Sequence, residues 1–431
     1  MAGEVNAVGT VPSARQLALD VLLRVLHGGY LAPALSAALD KADLEGHERS
    51  LATDLTYGVV RHLPQLDHAL APLLKAPEKL PPQVLGALRL GAYELLHRGT
   101  PRYAAVNAWV AQVKSREPRL AGLVNAVLRR VEPREGQPPH VAAALPEWLL
   151  DELQAALGPQ RAVQAAAGML QPEPLWLTLF GAEALNLLTL DGAEASPLVP
   201  GAPFPASFRV RSPLPLAQLA AFRLGNVQPQ NPSSLQVALA LGAEHGSTVY
   251  DLASGRGVKS AVFAAQGAQV TAFELSAERS QAAASNLARL GLQARHLVAD
   301  LKVVPNEPQA PFVILDAPCS GTGTLRGHPE IKLRLTAADV TELAALQGQL
   351  LASAAQLVAP GGVLLYAVCA LTKAEGPDVI EALLRARPDL IEEPAPLAAP
   401  HGAPASGGPG SYILPTGGLD GFYLARLRRA G

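Results

Sequence analysis

Residues 247–259 read STVYDLASGRGVK. A strand-length run, 247–254, ends in a glycine-bearing turn that opens a helical stretch, VKSAVFAAQ. Strand, glycine turn and helix in that order are the opening of a βα unit. The alternation recurs downstream in AQVTAFE (268–274), ARHLVAD (294–300), PFVILD (311–316) and GGVLLYAVC (361–369). AERSQAAASNLARLG and AADVTELAALQGQLLASAAQLV supply helices between them. Residues 236–431 are therefore expected to form a doubly wound, mostly parallel α/β sheet. APLAAPHGAPASGGPG (395–410) reads as a mobile loop before a last strand, DGFYLARL (420–427).

Upstream the pattern differs. SARQLALDVLLRVL (13–26) follows an N-cap candidate, Ser13, with apolar residues at steps of three and four. RSLATDLTYGVVRHL, PPQVLGALRLGAYELL, YAAVNAWVAQVK and LAGLVNAVLRRV repeat it, joined by short Pro- or Gly-bearing spacers. Residues 13–131 thus predict an all-α bundle of six or seven helices. EPREGQPPH (132–140) reads as a linker. Residues 141–235 mix a helical PEWLLDELQAAL with strand-like PLWLTLF and SFRVRS, a small α+β connector. The expected organisation is multidomain: 1–140, 141–235 and 236–431.

The composition is globular, with 49% hydrophobic and 17% charged residues among 431. Such a length exceeds one ordinary core. A net charge of −2 excludes a basic nucleic-acid coat, and residues 1–140 carry 16 Lys and Arg against 13 Asp and Glu. Any nucleic-acid contact must then be a local basic face. Two cysteines give no disulfide framework and suit a reducing cytoplasm. The first sixteen residues lack the apolar core of a signal peptide, and no run reaches the roughly 18–20 apolar residues of a membrane span. A monomer with no membrane and no metal partner is expected.

Ligands of open α/β sheets bind beyond the carboxyl ends of the strands. Gly255 and Gly257 stand at the first such end and permit a tight turn and close backbone approach. Glu274 ends the second strand, about 20 residues on, where an acid can accept ribose hydroxyls. Asp300 ends the third, beside the expected place of an adenine amine. These residues alone leave a nucleotide, a sulfonium methyl donor and a plain structural turn open. A Walker lysine pattern is absent.

The two thiols narrow the choice. Cys319 lies in DAPCSGTG (316–323), straight after one apolar run, and Cys369 ends another. Two thiols without nearby histidine pairs do not complete a metal site, and a redox pair favours Cys-x-x-Cys. Covalent catalysis remains. For the case of cytosine with a sulfonium methyl donor, a thiolate that adds at C6 would load electron density onto C5, which would then accept the methyl group. A nearby acid, Asp316, is placed to hydrogen-bond N3 or the exocyclic amine as charge develops there. A second thiol assists release.

DAPCSGTGTLRGHPEIK (316–332) and LLYAVCALTKAEG (364–376) resemble the two cysteine motifs of the Sun/NSUN family of RNA (cytosine-5) methyltransferases. The resemblance implies a Rossmann-like methyltransferase domain, Cys369 as nucleophile and Cys319 as the releasing residue. It implies S-adenosylmethionine contacts at Ala253, Ser254, Gly255, Arg256, Gly257, Val258, Lys259, Glu274, Asp300 and Asp316. QNPSSL (230–235) looks like the segment preceding the family's catalytic fold, and LDGFYLARLRR like its last strand. The N-terminal segments ARQLALDVLLRV, YGVVRHLPQLD, LRLGAYELL, RYAAVNAWV and LVNAVLRRV are similar to NusB-type RNA-binding domains, as in the RsmB branch. That branch implies a cytosine of 16S rRNA as target, with Arg102, Arg129 and Arg130 as RNA-contact candidates. The pattern departs where the family has Pro-Gly-Gly-Lys and this chain has Arg256-Gly257-Val258-Lys259, where Glu274 replaces Asp, and where Ala370 replaces Ser. Two rival readings stand: a DNA cytosine-5 methyltransferase attacking with Cys319, and a non-catalytic RNA-binding or antitermination-like module.

Overall fold

The computed structural model describes residues 13–44, 46–397, 402–405 and 408–431. The chain forms two compact units, residues 1–150 with 327–334, and residues 151–326 with 335–431. The reading of the first residues as leaderless falls largely outside the described ones.

The first unit holds six α-helices of eight or more residues between Ala14 and Leu128: Ala14–Leu26, Leu31–Lys41, Gly46–Leu70, Pro82–Leu96, Arg102–Lys114 and Ala121–Leu128. Ser13 caps the first, accepting from the Gln16 N–H as expected. The helices bury Leu22, Leu55, Leu66, Leu88 and Trp109 completely. Glu94 is also fully buried, and its oxygens accept Arg15 Nε and Nη2 at 2.8 Å and Trp109 Nε1 at 2.9 Å. A buried carboxylate is tolerable only with such charge-assisted partners. The unit runs past residue 140 because Val141, Leu145 and Leu149 are buried and Gln65 donates to the Ala142 carbonyl. It also takes in residues 327–334, whose Lys332 donates to the carbonyls of Arg61 and Ala144 at 2.6 and 2.8 Å.

The second unit includes the helix Pro159–Met169 and an antiparallel sheet of β1 (Leu175–Leu179), β2 (Glu194–Pro197), β3 (Ala206–Arg211) and β4 (Val227–Pro229), in the order β2-β3-β1-β4. Both strand candidates of the connector are therefore strands.

The larger sheet contains β5 (Thr248–Leu252), β6 (Gln269–Glu274), β7 (Arg295–Val298), β8 (Ala310–Asp316), β9 (Val358–Val368), β10 (Leu390–Glu393), β11 (Gly402–Pro404), β12 (Ser411–Ile413) and β13 (Phe422–Arg429). Its order is β11-β12-β13-β9-β8-β5-β6-β7, with β10 also on β13. Strands β9, β8, β5, β6 and β7 pair in parallel, and β10 to β13 add antiparallel pairings. The mostly parallel α/β sheet is thus present. The mobile loop read at 395–410 is corrected at 402–404: Gly402 pairs with Ile413 through backbone bonds that do not depend on side-chain pattern. The parts of that loop at 398–401 and 406–407 lie outside the described residues.

From β5 the chain steps to β6 and β7 on one side, then returns to β8 and β9 on the other. The reversal between β5 and β8 is the switch point at which α/β sheets open a ligand crevice.

Candidate active site

A cavity of about 340 Å³ lies at this switch point. Its walls include Ala253, Ser254, Gly255, Arg256, Val258 and Lys259 from the turn after β5, Asp316 from the end of β8, and Cys369 just past β9. Asp316 and Ala367 are paired in register on adjacent strands, so the chain segments leaving both are neighbours. Cys319 and Cys369 consequently meet, with their sulfurs 3.2 Å apart. Backbone bonds lock the two loops: Gly323 N–H donates to the Cys369 carbonyl and Leu371 N–H to Thr322 Oγ1.

The hydrogen bond to Cys369 pushes the Cys319 thiol well above its ordinary range; burial and the negative charges of Glu375 and Asp316 act the same way. Either sulfur can donate an S–H to the other across this contact. Lys259 is buried, with Nζ 2.5 Å from Asp316 Oδ2 and 5.4 Å from the centre of the Phe422 ring. Burial works against its charge, yet Asp316, Asp251 and Cys369 outweigh that and hold the ammonium above its usual range. Burial also pushes Asp251 up to about 6, against the Ser260 hydroxyl and Lys259.

Two buried polar atoms here, Asp251 Oδ1 and Ser254 Oγ, have no hydrogen-bond partner. Buried orphans of this kind mark where a ligand completes the bonding. Gly255 offers open space where a Cβ would stand, as a cradle for a ligand requires. Gly257 has a different role from the expected close approach: a Cβ there would come within 2.9 Å of Ala283 and Leu287, so the missing side chain admits the helix Ala277–Arg289.

Glu274 is buried at the end of β6 and does not line the cavity; its oxygens accept the N–H groups of Gly255 and Ser276 at 2.9 and 3.0 Å. Each oxygen keeps a lone pair for a hydroxyl. Asp300 is exposed two residues beyond β7, accepting from Lys302 N–H, and is not brought to the wall. In the helical unit, Arg102 is committed to the carbonyls of Leu128, Arg129 and Val131, whereas Arg129 and Arg130 stay exposed.

Several residues of the wall escaped sequence reasoning. Gln230, Asn231 and Ser234 arrive from the start of the helix Pro232–Ala240, and Asp420 and Phe422 from the entrance to β13. Glu375, fully buried, orders the loop of Cys319. QNPSSL and DGFYLARL were legible as segments, but nothing local signals that they converge.

The match to known proteins agrees with this arrangement. The family model described as "16S rRNA methyltransferase RsmB/F" matches residues 238–428, and that of the NusB family residues 12–133. The chain is 44% identical to ribosomal RNA small subunit methyltransferase B of Thermus thermophilus over 415 residues, 96% of this chain and 97% of that protein. It is 32% identical to the Pasteurella multocida protein of the same description, covering 97% of this chain and 96% of the relative. The crystal structure of PH0851 shares the fold with a TM-score of 0.78 at 23% identity, covering 97% of this chain and 99% of that one. A NusB-type helical part followed by a methyltransferase sheet with its crevice at β5 and β8, matched across nearly the whole length, places this chain in the RsmB family of 16S rRNA methyltransferases.

Proposed function

We propose that the protein transfers a methyl group from S-adenosylmethionine to C5 of a cytosine in 16S rRNA, through a transient bond between Cys369 Sγ and C6. The observation that carries this reading is the thiol pair, 3.2 Å apart, whose Cys369 lines the cavity that also bears the Lys259–Asp316 ion pair. The orphaned Asp251 and Ser254 atoms and the Gly255 cradle fit a polar donor, with Glu274 behind the turn. When bound, S-adenosylmethionine supplies an electrophilic methyl group.

The chain's own residues do the rest. Cys369 is the nucleophile: of the two thiols it is the one that lines the cavity, and Lys259 on the same wall sets a positive charge toward it. Cys319 is not among the residues of that wall, which argues against the rival in which it attacks. Asp316 hydrogen-bonds the cytosine edge while Lys259 fixes its carboxylate. After transfer, loss of the C5 proton and expulsion of the Cys369 sulfur free the product, with Cys319 assisting release. The target base must leave its stack to reach the cavity. The NusB-like helices grip the RNA, and the protein works as a cytoplasmic monomer.

The test is incubation of the protein with unmodified 16S rRNA transcript, free or in the 30S particle, and methyl-labelled donor. Label is expected in 5-methylcytidine after digestion. Label in another nucleoside, or none from either substrate, overturns the reading. Micromolar donor binding by calorimetry separates it from a non-catalytic scaffold.

A further inference from the structure

A second cavity, of about 500 Å³, adjoins the first and shares Gln230, Asn231 and Asp420 with it; Glu173, Pro174 and Trp176 stand on its other side. Volumes of this size suit small ligands or single bases. The shared wall is rigid and almost entirely committed. Gln230 Oε1 accepts from Thr178 and Gln228, and its amide reaches Ser234. Asn231 accepts the N–H groups of Ser233 and Asp420 and donates to the Gly418 carbonyl, which also accepts Trp176 Nε1 at 2.9 Å.

Asp420 alone is unspent. Its backbone is clamped on both sides, N–H to Asn231 and carbonyl from Ser233 Oγ at 2.7 Å, yet its buried Oδ1 has no partner. Holding a carboxyl there without a bond is costly unless a ligand supplies one. A polymer that delivers one base into the first cavity must lay its neighbours along the rim. Two carboxyl groups, Glu173 and Asp420, make this second cavity hostile to a phosphate and hospitable to the amino or imino edge of a base. Trp176 and the two prolines Pro174 and Pro229 give it apolar walls.

We infer that the cavity bounded by Glu173, Trp176 and Asp420 receives the base adjoining the reacting nucleotide of the RNA, and that Asp420 reads its edge by hydrogen bonding. This rests on the proposed RNA methylation and makes Asp420 a specificity residue.

The experiment uses the full chain and 16S rRNA transcripts carrying each of the four bases at both positions flanking the methylated cytosine. The native protein is expected to discriminate about tenfold or more in kcat/KM at one flank. Asp420→Leu should flatten that preference to within about threefold, through KM. Asp420→Asn, equal in shape, should reorder the preferred bases at the same flank and carries the test if the Leu variant folds poorly. Unaltered base ratios at both flanks in the Asn variant overturn the inference, as does a loss of donor binding, which assigns Asp420 to the first cavity alone. Failure of the native protein to methylate cytosine C5 in any transcript removes the functional reading itself, a distinct result.

Discussion

Glu375 holds Ser320 by both of its donors: one carboxylate oxygen accepts the Ser320 N–H at 2.7 Å, the other its hydroxyl at 2.5 Å. Ser320 follows Cys319, and Glu375 lies six residues beyond Cys369, so this bond pair ties the two thiol loops together. Thr372 and Gln347 also donate to Glu375, and Gln347 donates to the Pro318 carbonyl. Glu375→Ala strands these buried donors; each such loss costs about 1–3 kcal/mol, more when a charge is involved. Chemical denaturation should show destabilisation of roughly 3 kcal/mol or more, and methyl transfer should fall at least about tenfold as the sulfurs lose register. An intact rate would show that the clamp does not position them.

The two cysteines should fail differently. Cys369→Ala should form no covalent protein–RNA species and no product. Cys319→Ala should instead accumulate an adduct that survives denaturing electrophoresis, because release is impaired. The opposite pattern would make Cys319 the nucleophile.

Lys259 and Asp316 should be strongly non-additive. Either single change, Lys259→Met or Asp316→Asn, leaves a charge without its partner; the double change removes both. A double-mutant cycle on unfolding should return a coupling of about 1–3 kcal/mol. A value near zero would mean solvent screens the pair.

Asp420 gives the fold a pH dependence of known sign. Burial, reinforced by the Glu173 charge and opposed by Arg326, pushes its carboxyl up to about 7. A raised acid binds its proton more tightly in the folded state, so its stabilising effect is full at low pH and is lost as pH climbs through about 4 to 7. Asp420→Asn should thus be the more stable protein at pH 8, by up to roughly 4 kcal/mol, with the gap closing near pH 4. Thermal unfolding at the two pH values decides it.

The two loop glycines should separate stability from binding. Gly257→Ala forces a Cβ against Ala283 at a φ of +72° and should destabilise by about 2 kcal/mol or more. Gly255→Ala meets open space at a φ of +57°, so its main effect should be weaker donor binding, read by calorimetry. Equal loss of stability in both would contradict the cradle.

The sequence by itself determined the elements and their succession. Period-two and period-3.6 patterning is a local consequence of strand and helix geometry, so the helices to 128, the five parallel strands and the turn 253–259 were legible. The paired cysteine motifs likewise marked two loops, whose sulfurs the structure brings to 3.2 Å. Only tertiary structure decided what those segments converge upon. Asp420 donates its N–H to Asn231 across 189 positions, and Leu31 donates to Glu330 across 299. It also turned Gly257 into a helix contact and left Asp300 off the cavity wall. Such pairings leave no periodic trace, because a hydrogen bond or a close approach depends on where two distant stretches pack rather than on the residues beside either one.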